Sequence, residues 1–143
     1  MSKSRCQFCR HNNNYLLFEE KESKIFHFDV ACSQDHFVVA TKRHVKTISD
    51  LTMEEYIGVM RIGKVISDKL LEQNSNIEKY SIIELVDRGE HFHVHFIPRY
   101  RNEVEELIEY VFGEKFNLSW NDSQDKYTWN QDNANRLRKE IQK

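Results

Sequence analysis

The sequence predicts an α+β fold: an antiparallel sheet, one long helix and a C-terminal helical extension. Three observations carry this. Short segments rich in aromatic and β-branched residues recur through the first hundred positions. One apolar stripe of helical period stands between them. A run of alternating histidines and apolar residues, His91-Phe92-His93-Val94-His95-Phe96, follows it.

Taken in order, residues 15–18 form a short apolar run, and residues 25–30 and 36–40 read as strands. Residues 52–74 read as the main helix. Thr52 and Glu55 have capping-box spacing, and Tyr56, Val59, Met60, Gly63, Ile66 and Leu70 recur at helical intervals. Such a stripe is core far more often than a cofactor box, and it is read as core. Strand character returns at residues 80–86 and 91–97. Only Asp87-Arg88-Gly89-Glu90 separates these two, and Gly89 can take the positive φ of a tight turn. An antiparallel hairpin is expected, with its second strand stopping at Pro98. Residues 101–118 look partly helical. Residues 119–130 are polar with Trp120, Tyr127 and Trp129 interspersed, which are read as packing against the domain. Residues 130–142 suggest a closing helix with Leu137 and Ile141 on one side.

Composition narrows the function classes. Apolar residues make up 39% and charged residues 31% of the 143 positions, the balance of a globular chain. Lys plus Arg is 21 against 23 for Asp plus Glu, a net charge of −2, which argues against a nucleic-acid polymer as the main partner. A single nucleotide is not excluded. No apolar run approaches a membrane span, and the N-terminus lacks a signal-peptide core, so a cytoplasmic location without a membrane partner is expected. Three cysteines, an odd number, fit reduced thiols better than a disulfide framework.

The histidine run carries the chemistry. Side chains alternate along a strand, so His91, His93 and His95 share one surface while Phe92, Val94 and Phe96 face the core. Neighbouring imidazoles lie roughly 6.5–7 Å apart, too wide for the three alone to hold one ion and well suited to contacting a phosphate chain at several points. The plainer reading is an exposed polar face that happens to hold histidines. Strict alternation of three such uncommon residues disfavours it.

His91-Phe92-His93-Val94-His95-Phe96-Ile97 resembles the H-φ-H-φ-H-φ-φ motif of the histidine-triad (HIT) superfamily, and Pro98-Arg99-Tyr100 extends the likeness to bacterial members. Upstream, Phe28-Asp29 resembles the family's F-x-D or L-D strand end. His36 stands at the His of its Gly-His pair, and Lys42-Arg43-His44 with Asp50-Leu51 resembles P-K-x-H…D-L. The likeness covers roughly residues 6–100. It implies a HIT-like antiparallel sheet of about five strands within a single domain, residues 1–143, of which 101–143 form the C-terminal extension.

The resemblance also implies roles. His93 would be the nucleophile, attacking the α-phosphorus of a nucleotide to give a nucleotidyl-imidazole that water or another acceptor resolves. Imidazole suits this, being largely neutral at cell pH and able to split one displacement into two. The partner N–H of the attacking ring then needs an acceptor. His95 would donate to phosphate oxygens, with His36 supporting it. Asp29, beside Phe28, would accept from ribose hydroxyls.

Cys6 and Cys9 form a C-x-x-C, which alone reads equally as a redox pair or two buried thiols. The resemblance reweights it, because His44 and His91 stand at ligand positions of zinc-bearing HIT proteins. His91 also matches a ligand of galactose-1-phosphate uridylyltransferases. Cys6, Cys9, His44 and His91 then imply a closed, structural Zn2+ site. Cys32 is read as a buried thiol.

Some positions depart from the family pattern. Asp35 replaces the glycine before His36, where a carboxylate would repel an anion unless it points away. Asp87 and Arg88 stand where the family carries a Gln-Ser or Gln-Thr pair that contacts the α-phosphate. Arg88 and Arg99 offer planar donors that suit a phosphate in compensation, against a plain reading as solvated surface arginines.

The expected function is that of a nucleotide phosphate hydrolase or nucleotidyl transferase acting on a phosphoanhydride, phosphoramidate or dinucleoside polyphosphate. The alternative is a nucleotide-binding or regulatory module that lost its chemistry with the Gln-Ser segment. A purely structural zinc domain would leave His93 and His95 unexplained. The expected partners are a purine nucleotide or dinucleotide and, from the resemblance, a second copy of the chain in a homodimer.

Overall fold

The computed structural model describes residues 5–10, 13–84, 91–101 and 127–143. These form an antiparallel sheet of β1 (Leu16–Glu19), β2 (Ser23–Phe26), β3 (Phe37–Thr41), β4 (Ile77–Glu84) and β5 (His93–Tyr100) in the order β1-β2-β3-β5-β4. Helix α1 (Met53–Gln73) and helix α2 (Gln131–Ile141) complete the α+β architecture expected from the sequence. No described helix is long and apolar enough to cross a membrane.

The helix start is where Thr52 and Glu55 place it. Thr52 Oγ1 accepts from the Glu55 N–H at 3.1 Å, and the Glu55 carboxylate accepts from the Thr52 N–H at 2.9 Å, satisfying donors that an uncapped helix leaves free. The buried stripe is shifted from the expected one. Val59, Ile62, Ile66 and Leu70 enter the core, while Tyr56 is exposed and Met60 only half-buried on the flank. Gly63 lies so close to the sheet that a Cβ there would overlap the Phe96 ring. This face is completed by Ile25, Phe37, Val39, Val94 and Phe96 from the strands and by Ala134, Leu137 and Ile141 from α2.

Several boundaries differ from expectation for local reasons. Strand β2 ends at Phe26, because the chain turns after it and the Ala31 N–H bonds back to the Phe28 carbonyl at 3.0 Å. Strand β4 begins at Ile77, hidden from an apolar pattern because it is an outer strand alternating with exposed Glu78 and Lys79. Strand β5 starts at His93 and runs through Pro98 to Tyr100. The β3 register ends at the Phe37–Phe96 pair, so Pro98 faces only β4 and its missing N–H breaks no ladder toward β3. The expected turn at 87–90, the partly helical segment 101–118 and Trp120 fall outside the described residues.

The second face of the sheet carries Phe26, Val38 and Ala40. Against them lies the N-terminal segment, with Cys6 and Phe8 buried. On this side β5 places its histidines.

Candidate active site and metal centre

Cross-strand register sets the histidine row. His93 pairs with Ala40 and His95 with Val38, and cross-strand partners share a face, so both imidazoles stand on the second face of the sheet. Val94 and Phe96 point the other way into the helix-covered core. The alternation read from the sequence therefore holds. The surface it was expected to create does not: His91, His93 and His95 are only 1%, 8% and 6% exposed, with Phe8 of the N-terminal segment packed on His91 and His93 and His36 packed on His95.

Hydrogen bonds define which nitrogen of each ring carries a proton. His93 Nδ1 donates to the His91 carbonyl at 2.8 Å, so the proton sits on Nδ1 and the Nε2 lone pair is free of that bond. His36 Nδ1 accepts from the Cys32 N–H at 3.1 Å, which places its proton on Nε2. That N–H donates to His95 Nδ1 at 3.0 Å, leaving His95 with its own N–H on Nε2. The rings of His93 and His95 meet edge to face at 5.1 Å. Together they offer a basic nitrogen beside an N–H donor.

All three imidazoles are held neutral. Burial holds His93 below its ordinary value, opposed by its bond to the His91 carbonyl. Burial, and then the nearby His93, pushes His95 down to about 3. His36 lies well below the usual range through burial and its His95 and His27 neighbours.

Cys6, Cys9, His44 and His91 converge as the sequence suggested, with one ligand atom from each within 4.8 Å of the others. Cys6 Sγ and Cys9 Sγ lie 3.4 and 3.5 Å from His91 Nδ1. Cys9 Sγ lies 3.3 Å from His44 Nδ1, and the two Nδ1 atoms are 3.2 Å apart. A tetrahedral ion with metal–nitrogen bonds of ~2.0–2.1 Å and metal–sulfur bonds of ~2.3 Å has ligand–ligand edges of roughly 3.3–3.8 Å. These four distances lie close to such edges and all ligand atoms fall within 4.8 Å, so the donor set fits such an ion. His91 Nε2 donates to the Thr41 carbonyl at 2.7 Å, which turns the Nδ1 lone pair toward the cluster. The segment bearing His44 is fixed too: Arg43 bonds both Glu55 oxygens at 2.7 and 3.1 Å, and the Phe92 N–H donates to the Val45 carbonyl at 2.6 Å.

The remaining expected residues divide. Phe28 is buried and stacked on Phe26 at 4.9 Å. Asp29 is exposed beside it, close enough to Tyr15 that its carboxylate, second to burial, raises that hydroxyl's pKa. Arg99 shares the histidine face but stands four residues past His95, roughly 13 Å along the strand. Arg88 lies outside the described residues. Asp35 turns away from the histidines. Its carboxylate accepts from Arg136 at 2.8 Å and from the Tyr100 hydroxyl at 2.7 Å, so it does not oppose an anion at His93.

Two residues beside the site escaped sequence reading. Phe8 stacks on His93 with centroids 4.7 Å apart. It could have been suspected, since two converging cysteines force the residues between them against their neighbours. His27 is fully buried and donates from Nδ1 to the His36 carbonyl at 2.6 Å, while its Nε2 accepts from the Tyr127 hydroxyl at 2.7 Å. No pattern in the sequence marked it.

A five-stranded antiparallel sheet that carries His93 and His95 on the face opposite α1, with His91 just ahead of the strand, fits the histidine-triad class. The chain belongs to the HIT domain family, whose model matches residues 10–102. Among solved structures, it is similar to a zinc-bound histidine triad family protein from Mycobacterium smegmatis, at 16% identity and a TM-score of 0.72, over 99% of this chain and 96% of that one. It is also similar to a diadenosine triphosphate hydrolase from Plasmodium falciparum, at 21% identity and a TM-score of 0.58, over 82% and 81% of the two chains. A Hit-like protein from Bartonella henselae, described as involved in cell-cycle regulation, aligns at 14% identity and a TM-score of 0.62, over 89% and 83%. No curated protein matches the sequence.

Proposed function

We propose that this protein is a nucleotide phosphate hydrolase or nucleotidyl transferase that works through a covalent nucleotidyl-histidine at His93. The observation that carries this is the committed tautomer of His93. Its Nδ1–H is held by the His91 carbonyl at 2.8 Å, which leaves Nε2 as the nucleophilic nitrogen. His95 Nε2–H, oriented through His36, donates to a phosphate oxygen as charge develops there. Asp29, beside Phe28, binds the ribose hydroxyls of a purine nucleotide or dinucleotide. Arg88 and Arg99 bind more distant phosphates. The likeness to a diadenosine triphosphate hydrolase supports a substrate of this class.

Cys6, Cys9, His44 and His91 would hold Zn2+, a reading supported by the site's edges and by the zinc-bound relative. The ion, when bound, supplies a structural crosslink with all four positions filled. The free thiols of this site fit a cytoplasmic, reducing setting. Residues 1–143 act as one domain. A homodimer is supported by outer strand β4, with Ile82 54% exposed, and by exposed Met53 and Ile57 on α1; sedimentation as a monomer at micromolar concentration would remove this part.

His93→Ala tests the mechanism. It should lower turnover of AMP-linked substrates by on the order of a thousandfold or more while leaving folding and zinc content intact. Turnover like that of the wild type excludes the covalent route. Nucleotide binding by the wild type without adduct or product favours the binding-module reading.

A further inference from the structure

We propose that Phe8 is a positioning residue for the reaction at His93: it holds the imidazole plane and stabilises the positive charge the ring gains when bonded to phosphorus. This rests on the reading of His93 as nucleophile.

Phe8 meets two rings of the row, tilted against His91 at 5.2 Å and 40° and more closely stacked on His93. Phe8 is 2% exposed and its ring stacks on His93 at 4.7 Å with 29° between planes, while His95 meets the same imidazole edge to face. Phe8 is itself held firmly. Phe26 and Phe28 each meet it edge-on at 5.4 Å. Its carbonyl accepts from Lys24 Nζ at 3.1 Å, and the Cys9 and Arg10 N–H groups close the turn onto the Cys6 carbonyl at 3.1 and 3.2 Å. The residue is thus fixed between two thiols of the metal cluster, with one ring face on the nucleophile.

Charge bookkeeping shows why that face matters. The Nε2 lone pair forms the P–N bond as the P–O bond to the leaving group breaks. For a phosphoanhydride, the leaving oxygen keeps the bonding pair as a phosphate anion, stabilised by a hydrogen bond from His95 Nε2–H, which keeps its proton. His93 Nδ1 retains its proton in the bond to the His91 carbonyl, so the ring is cationic. Water then adds to phosphorus as the P–N pair returns to Nε2, and the spare proton of that water leaves to solvent with the nucleotide product. A cation within about 6 Å of an aromatic centroid is attracted by the ring quadrupole. The cationic ring exists in the covalent state and its flanking transition states but not in the resting site. The contribution therefore falls on kcat rather than KM.

The test replaces Phe8 with mono-, di- and trifluorophenylalanine, which keep its shape and progressively weaken the quadrupole. Hydrolysis of diadenosine triphosphate and of an adenosine phosphoramidate is measured, with trapping of the His93 adduct. The expected result is a stepwise fall in kcat reaching about tenfold, with KM, zinc content and Tm unchanged. Phe8→Tyr should retain more activity than Phe8→Leu. A kcat that stays flat through the fluorine series overturns the proposal, and this series decides even if Phe8→Leu loses metal or fold. A wild-type chain that forms no His93 adduct removes the functional reading and this proposal together. An adduct with a flat series removes Phe8 alone.

Discussion

The two ends of the chain grip the histidine row by opposite chemistry. At the N-terminal end, Cys6, Phe8 and Cys9 converge on His91 and His93 through soft donor atoms and an aromatic stack. At the C-terminal end, Tyr127 and Asn133 bond His27, and Arg136 bonds Asp35. They reach His36 through its neighbours, His27 bonding its carbonyl and Asp35 preceding it in the chain. The first grip has ligands aimed at a common centre and calls for an ion to complete it. The second is closed by hydrogen bonds between protein groups alone. One end should therefore answer to metal supply and thiol chemistry, and the other only to forces that break buried polar contacts.

Acid is the broadest way to break both. Folded His27 is pushed down to about 4 and His95 to about 3, mainly by burial, against an ordinary value of 6.5, and protonation of the metal-site ligands adds to the same trend. Below about pH 6.5 the unfolded chain takes up protons that the folded chain refuses, so stability falls as pH falls toward 4 and is recovered above 6.5. Tm recorded across this range should drop steeply. A flat profile would mean that these rings stay accessible to protons in the native state.

Chelation should break the N-terminal grip alone. Stripping the metal is expected to lower Tm by roughly 10 °C or more and make Cys6 and Cys9 reactive to thiol reagents, with the sheet's far-ultraviolet dichroism retained. Purified protein that contains no zinc and has both thiols reactive from the start would remove the asymmetry.

Asp35→Ala should break the C-terminal grip alone. It removes a 1% exposed acceptor shared by Arg136, the Tyr100 hydroxyl and the Asn74 amide, of which Arg136 keeps Glu140, Asn133 and the Gln34 carbonyl. A cost of about 3 kcal/mol is expected by urea unfolding, the low end for a buried pair because Arg136 keeps part of its side chain in water. Zinc content should not change. Loss of metal in this variant would mean that the two grips are coupled.

Much of the site was legible because its signals are local. Alternation placed His93 and His95 on one face, and the Thr52–Glu55 pair placed the start of α1. Sequence spacing could not show burial of the histidines, since that depends on Phe8 and His36, which reach the row from distant parts of the chain. The direction of Asp35 was equally hidden, because its partner Arg136 is 101 residues away. Pro98 misled for a related reason: a proline breaks a ladder only where a neighbouring strand needs its N–H, and β3 had already stopped.

Arg138 adds a consequence of another kind. Its guanidinium donates to the carbonyls of Leu16 and Leu17 at 2.8 and 3.3 Å, so α2 occupies hydrogen-bonding groups of outer strand β1. With those carbonyls occupied, β1 offers an incoming strand an interrupted edge. The closing helix thus does more than cover the core: it blunts one margin of the sheet against strand-by-strand addition.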